Sequence, residues 1–381
     1  MNGIAWGCAV FAGLATLLHF ASALLAAYRA RRGASAPPFP DVPVSVLPPV
    51  SVLRPVRGLD PYDELTLRSG FALAYGRYEL ILCCEDADDP VVPVIRRLMA
   101  EYPHVDAKLL IGRDSLTSNP KLNNLIKGWR AARHDWVVMA DSNVLMPADY
   151  IQRLLAGWRA ETGLLCAPPI GCMPSGFWAE VECAFLNTYQ ARWQYAADTL
   201  GLGFAQGKTM LWRRAELERA GGIRALGSEI AEDAAATKVV RGAGKRVRLV
   251  DRAFGQPLGV RTAAQIWSRQ VRWARLRRAT FPVFFLPEVL SGSVAPLLAA
   301  FFAAEGFEVS GFAAAVALGA AWYGCEAALA RAAGWHLAWW TPLAWIARDL
   351  MLPVLWVQAW LGNSFNWRGN DMHLADAVAS N

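Results

Sequence analysis

Four long apolar stretches, one near the amino end and three near the carboxyl end, limit what this chain can fold into. From residue 3 to residue 28 no side chain carries a formal charge, which exceeds the roughly 20 residues a helix needs to cross a bilayer. Ala21, Ser22 and Ala23 resemble a signal cleavage site, but no Lys or Arg precedes the run, while Arg29, Arg31 and Arg32 come directly after it. The run therefore reads as a retained anchor, and the basic cluster places the chain beyond residue 29 in the cytosol. At the other end residues 281–304, 310–330 and 336–362 are each long enough to span. Arg348 and Asp349 fall within the last of these, where isolated charge is costly, so a pair facing another helix is expected.

Composition agrees with a chain partly in lipid. Of 381 residues, 55% are apolar and 18% charged, against roughly 45–50% and 25% in ordinary soluble domains. The net charge of +6 (38 basic minus 32 acidic residues) suits anionic head groups or phosphates and does not call for nucleic acid as a partner. Seven cysteines without a CxxC pair read as reduced structural thiols.

The expected organisation is an anchor over 1–33, a cytosolic α/β domain over 34–260, a basic interfacial helix over 261–280, and membrane helices with a tail over 281–381. Within the middle region, residues 50–53, 79–84, 107–111, 136–140 and 164–167 are short apolar runs separated by helical stretches. That alternation predicts a mostly parallel sheet covered on both faces, with ligands bound beyond the carboxyl ends of its strands. Acidic loops come after the second and fourth runs: Glu85-Asp86-Ala87-Asp88-Asp89-Pro90 and Asp141-Ser142-Asn143. Carboxylates gathered at one sheet edge repel unless a cation lies among them, which points to a divalent metal or a cationic ligand; loops of this kind also serve as turns and helix caps. The segment Ser118-Asn119-Pro120-Lys121 opens a helix. It admits two readings, a capping Asn119 with a solvated Lys121, or a lysine that meets a phosphate. Glu232-Asp233 opens a further helix, where a carboxylate is either a macrodipole partner or a general base. No GxGxxG stands after the first strand and no P-loop is present. From Arg241 to Arg278 eleven basic residues face one acid, Asp251. Residues 262–280 read as a helix with Ile266, Trp267, Val271 and Ala274 on one side and Arg269, Arg272 and Arg275 on another, suited to an anionic membrane surface.

Taken in order, Asp86 to Pro90, Asn119-Pro120-Lys121-Leu122-Asn123-Asn124, Asp141-Ser142, Glu232-Asp233 and Arg269-Gln270-Val271-Arg272-Trp273 resemble the ceramide glucosyltransferase family, of bacterial type. These are membrane-bound, inverting GT-A enzymes, and the resemblance runs over roughly residues 50–282 and the flanking helices. The family pattern of three separated aspartates and then (Q/R)xxRW is matched by Asp89, Asp141, Asp233 and by Arg269, Arg272 and Trp273. The resemblance implies UDP-glucose as donor and ceramide or a similar membrane lipid as acceptor, with β-glucosylceramide as product. It further implies an integral protein of the inner (cell) membrane with a cytoplasmic catalytic domain. Asp86 or Asp89, or else Asp88, would contact uracil; Lys121 and Arg269 would lie near the nucleotide; and Asp141 would bind Mg2+ or Mn2+. Arg272 would meet the leaving diphosphate, Asp233 would take the proton of the lipid hydroxyl, and Trp273 would lie near acceptor or sugar. Asn143 stands where many GT-A enzymes carry a second aspartate. Alternatives are a related transferase for a hopanoid or other lipid, a processive polysaccharide synthase, and a silent membrane scaffold that binds nucleotide.

Overall fold

Each of the five apolar runs becomes a strand: β1 Val50–Pro55, β2 Tyr78–Cys84, β3 Asp106–Ile111, β4 Trp136–Ala140 and β5 Thr162–Cys166. The computed structural model describes residues 2–35, 47–367 and 370–373, and the chain divides into two compact units. The first takes in 32–172 and 197–259. In addition to β1 to β5 it includes β6 Pro169–Ser175, which runs on past Cys172, β7 Thr209–Arg213, β8 Arg246–Leu249 and β9 Phe254–Val260, whose last residue belongs to the second unit.

Seven strands form one sheet in the order β3-β2-β1-β4-β7-β5-β8, while β6 and β9 pair separately. Pairing is parallel between β1 and β2, β2 and β3, β1 and β4, and β5 and β8. The sheet is therefore mostly parallel. β7 was not foreseen. It runs antiparallel to both neighbours, with Ala140 opposite Thr209 and Leu165 opposite Leu211. Central strands are buried on both faces, with Val52, Leu53, Leu80, Ile81, Val137 and Val138 at 0% exposure, which is why they read as unbroken apolar runs and not as alternation.

Of the charges within this core, Arg54 has a positioning role. Arg54 on β1 is fully buried. It donates to the carbonyls of Thr66 (2.7 Å), Ser142 (2.7 Å), Asp141 (3.1 Å) and Val144 (3.1 Å). Burial pulls its pKa down to about 10, so the guanidinium stays charged at neutral pH. It clamps the loop that leaves β4. All seven cysteines are free thiols, as their number and spacing lead one to expect.

The second unit takes in 1–31, 173–196 and 260–374. It thus includes a segment, 173–196, that sequence reading places inside the α/β domain. That segment contributes a helix, Phe177–Ala184, a π-helical stretch, Phe185–Ala191, and a further α-helix, Arg192–Thr199, which runs on into the first unit. Among the described residues two helices are long and apolar enough to cross a membrane, Gly3–Gly33 and Gly311–Ala333. The expected span over 281–304 is broken. A short helix Pro282–Phe285 and a 3-10 turn Leu286–Leu290 precede Val294–Gly306, with a 47° bend. The break has a partner: the N–H of Ser293 donates to Asp349 Oδ2 at 3.1 Å. Gly292 passes so near Leu352 that a Cβ there would lie 2.9 Å from its side chain. The expected span over 336–362 becomes the 20-residue helix Thr341–Trp360, long enough to cross but less apolar than the other two, with Arg348 and Asp349 within it.

Those two charges are paired, as expected, but with a third group. Arg348 donates to Asp349 Oδ1 (2.8 Å) and, bidentately, to Glu326 on Gly311–Ala333 (2.8 and 2.9 Å). Thr188 of the π-helical stretch donates to Glu326 at 2.6 Å. The basic helix forms as Ala263–Thr280, opened by a reciprocal cap between Thr262 and Gln265. Its apolar side packs on protein. Ile266 and Val271 pack with Val181, Phe185, Trp345 and Leu352, Arg277 pairs with Glu288, and Arg275 reaches the Ser364 carbonyl. The apolar face of this helix is covered by protein, and Arg269, Arg272 and Arg275 are half-buried.

Glu326 is expected to be worth more to the fold than any exposed charge. Glu326→Leu takes from the buried Arg348 its bidentate partner and should destabilise by about 3–5 kcal/mol, lowering the thermal midpoint in detergent. Glu326→Gln, which keeps a hydrogen-bonding group, should lower it less.

Candidate active site

The antiparallel insertion of β7 decides what stands beside Asp141. Asp141 comes directly after the last residue of β4, and its N–H donates to the Lys208 carbonyl at 3.0 Å, so Gly207 and Lys208 lie along the same edge. Two helices begin there as well. In Pro120–Ala131, Asn119 is the N-cap, its Oδ1 accepting from the Leu122 N–H at 3.1 Å, with Pro120 in the first position. In Glu232–Gly242, Glu232 and Asp233 form the first turn.

Lys121 joins these pieces. Its ammonium lies 2.7 Å from Asp141 Oδ1, 2.5 Å from Glu232 Oε1 and 2.8 Å from the Gly207 carbonyl. The N–H of Gly207 donates to Asp233 Oδ2 at 3.0 Å, and Asp233 Oδ1 accepts from the Ala234 N–H at 2.8 Å. Asp141 and Asp233, 92 positions apart in the chain, thus share Lys121 and the Gly207 peptide as common neighbours. A Cβ at 207 would crowd this cluster, lying 2.8 Å from Glu232 Oε1, 3.1 Å from Lys121 Nζ and 3.4 Å from Asp233 Oδ2. Asn119 closes the far side, donating to Glu232 Oε2 (2.9 Å) and to the Ile230 carbonyl (3.0 Å).

The electrostatics depend on which groups are paired. Burial pushes the Asp141 carboxyl up, but Lys121 on one oxygen and Lys208 on the other, at 2.8 Å, outweigh it and hold the group well below the usual carboxylate range. Burial opposes the charge of Lys121, and Asp141 with Glu232 raises it above an ordinary lysine all the same. Asp233 goes the other way. Burial and then the adjacent Glu232 charge push it up to about 6, against the pull of Lys121 and two backbone N–H groups. One carboxylate is fixed as an anion and a second is poised to exchange a proton, a separation of roles that catalytic sites use.

Of the residues singled out from sequence, Lys121, Asp141 and Asp233 come together here. Lys121 is not the solvated side chain of one reading, being 15% exposed. Asp89 accepts from the Gly58 N–H (3.0 and 2.9 Å) and the Val91 N–H (2.9 Å), tying the segment after β1 to the start of the helix Val91–Glu101. Asp86 is exposed and accepts from the Asp88 N–H at 3.0 Å. Arg269, Arg272 and Trp273 lie on Ala263–Thr280 in the second unit, where Arg269 pairs with the fully buried Glu182. Lys208 and Gly207 were missed, since they precede a strand that periodicity did not announce.

Asp141 Oδ2 and Asn143 Oδ1 lie 2.8 and 3.1 Å from the same Lys208 ammonium. A carboxylate and an amide oxygen two residues apart therefore converge on one cationic position, and hard oxygen donors of this kind fit Mg2+ or Mn2+. Among the described residues no group of three or more His, Cys, Asp or Glu gathers to hold a metal. Further ligands at this position would be phosphate oxygens and water, the usual company of Mg2+.

The family described as Glycosyl transferase family 21 matches residues 14–379. The chain is 26% identical over 316 residues to ceramide glucosyltransferase 3 of Caenorhabditis elegans, covering 81% of this chain and 69% of that protein. To ceramide glucosyltransferase 1 of the same organism it is 25% identical over 394 residues, covering 97% and 79%. The solved structure of the mannosyltransferase PcManGT from Pyrobaculum calidifontis, in complex with GDP-Man and Mn2+, is similar with a TM-score of 0.51 at 19% identity, covering 93% of this chain and 98% of that one. That similarity is one of fold, a GT-A α/β sheet. Because the family match takes in the sheet edge around Asp141 and Asp233 together with the Arg269 to Trp273 helix, the chain belongs to glycosyltransferase family 21.

Proposed function

We propose that this glycosyltransferase moves glucose from UDP-glucose to the primary hydroxyl of ceramide, in one displacement that inverts the anomeric centre and gives a β-glucoside. The observation that carries the reading is the pairing of Asp141 and Asp233 around Lys121 and Gly207. A metal-bearing anion and a proton acceptor are needed a few ångströms apart, and these two carboxylates have opposite titration behaviour at one sheet edge. The relatives' names supply the donor sugar and the lipid, and UDP comes from the resemblance.

In this reading Asp233 takes the proton of the attacking hydroxyl, and its pKa near 6 matches a base working near neutrality. Asp141 with Asn143 holds Mg2+ or Mn2+, which when bound supplies positive charge for the departing diphosphate. Lys121 fixes the geometry of both acids. Asp86, exposed after β2, is the acceptor for uracil, and Asp89 braces its loop. Arg272 for the diphosphate and Trp273 for the acceptor rest on the motif alone. The membrane and a cytoplasmic catalytic domain complete the reading, with the basic cluster after the anchor as its support.

Asp233→Asn is expected to lower turnover by about 10²–10⁴-fold while leaving UDP binding intact; full turnover would rule out the base. A base with a raised pKa must lose its proton to work, so kcat/KM should rise with pH through about 6 and level off above. Removing the adjacent negative charge with Glu232→Gln should move that limb to lower pH. Incubating the purified protein with labelled UDP-glucose and a panel of ceramide, diacylglycerol and hopanoid acceptors, with mass spectrometry of the product, decides the lipid. Glucosylation of a hopanoid in preference to ceramide would replace the acceptor assigned here.

A further inference from the structure

Lys208 holds a position that the proposed chemistry needs for something else. Its ammonium takes Asp141 Oδ2 and Asn143 Oδ1, at 2.8 and 3.1 Å, the two oxygens best suited to a divalent cation. Lys121 takes the other Asp141 oxygen at 2.7 Å, so each carboxylate oxygen carries an ammonium. With Asp141, Glu232 and Asp233 ionised and both lysines charged, the cluster sums to one negative charge. A divalent ion arriving alone meets two like charges and little net attraction. A nucleoside diphosphate changes that balance, because it brings negative charge and gives the lysine new acceptors.

The backbone allows the exchange. The Lys208 carbonyl is fixed by the Asp141 N–H at 3.0 Å, and the residue adjoins the first residue of β7, which is paired on both sides. The main chain stays in place while the four-carbon stem can swing its ammonium to another partner. We propose that Lys208 is a resident counter-ion that occupies the metal position until the donor arrives, and that it then moves to the diphosphate, so that metal and nucleotide bind together and the metal binds poorly alone. This rests on the donor reading above. Coupling of this kind is reciprocal: whatever the nucleotide does for metal affinity, the metal does for nucleotide affinity.

The test is Mn2+ binding to the purified full-length protein in detergent, read from loss of the free-ion electron paramagnetic resonance signal, with and without UDP. Wild type should bind Mn2+ weakly alone and at least tenfold more tightly with saturating UDP. Lys208→Met should bind Mn2+ alone at least tenfold more tightly than wild type, with the gain from UDP reduced by a similar factor, and Lys208→Arg should keep the weak binding. Lys208→Gln serves the same purpose if Lys208→Met does not fold. Adding Asp141→Asn to Lys208→Met should abolish the gain. If UDP binds but removal of Lys208 leaves Mn2+ affinity unchanged or weaker, the counter-ion role is wrong and the donor reading stands. If wild type binds UDP neither with nor without Mn2+, the donor reading fails and this inference falls with it.

Discussion

Lys121 sits where segments from four distant parts of the α/β unit meet, and protein oxygens surround its ammonium: Asp141, Glu232 and the Gly207 carbonyl, all within 2.8 Å. An ammonium removed from water is costly unless paired and hydrogen-bonded, so this contact ties the end of β4, the approach to β7 and the start of Glu232–Gly242 to the helix that carries Lys121. Take it away and Asp141 keeps only Lys208, and Glu232 only the Asn119 amide, with no cation between the two carboxylates. The same interaction sets the chemistry. It keeps Asp141 ionised, and through Gly207 it fixes where Asp233 can stand.

A second constraint acts from below. Arg54 binds the carbonyls of Asp141, Ser142 and Val144, so the loop after β4 is held by its backbone while the Asp141 and Asn143 side chains reach Lys208. Lys127 does the same for the neighbouring strands, donating to the carbonyls of Cys84 (2.7 Å) and Gly112 (2.5 Å) after β2 and β3. Cations on strand-end carbonyls make a rigid floor, and rigidity is what the proposed site would need to hold its acids in position. The apolar core supplies none of this directional control.

How much was legible in the sequence depends on the physics of each signal. Apolar runs announce central strands because both faces are buried, so β1 to β5 were readable, and the helix after Thr262 declared itself through its cap and period. Direction leaves no trace in composition. β7 is a run of five residues, Thr209–Arg213, indistinguishable from a turn of helix, yet its reversal is what delivers Lys208 to Asp141. The acids were readable as candidates because Asp141 and Glu232-Asp233 come after strand or glycine-rich signals. Their convergence through a lysine 20 positions before Asp141 was not, because ion-pair partners carry no periodicity. The break at Ser291 to Ser293 was hidden in the same way, since its stabilising partner, Asp349, lies 56 positions away.

The two units treat buried charge differently, and the difference separates scaffold from reactive site. In the helical unit Arg348 is saturated by Glu326 and Asp349. Arg192, bound to the Ser22 hydroxyl (2.6 Å) and the Thr188 carbonyl (2.7 Å), brings that neighbourhood to zero net charge. All four of these ionic side chains are 1% exposed or less. Such a set has nothing left to offer a ligand and serves to fix helices in an environment without water. In the α/β unit the corresponding set stays one charge short of neutrality, and its members are partly exposed, Asp141 at 20% and Lys208 at 19%. A cluster left negative and open by that margin accepts a cation only together with an anion that offsets the lysines. Charge imbalance, more than the presence of acidic residues, is therefore what supports the sheet edge as the proposed site of transfer.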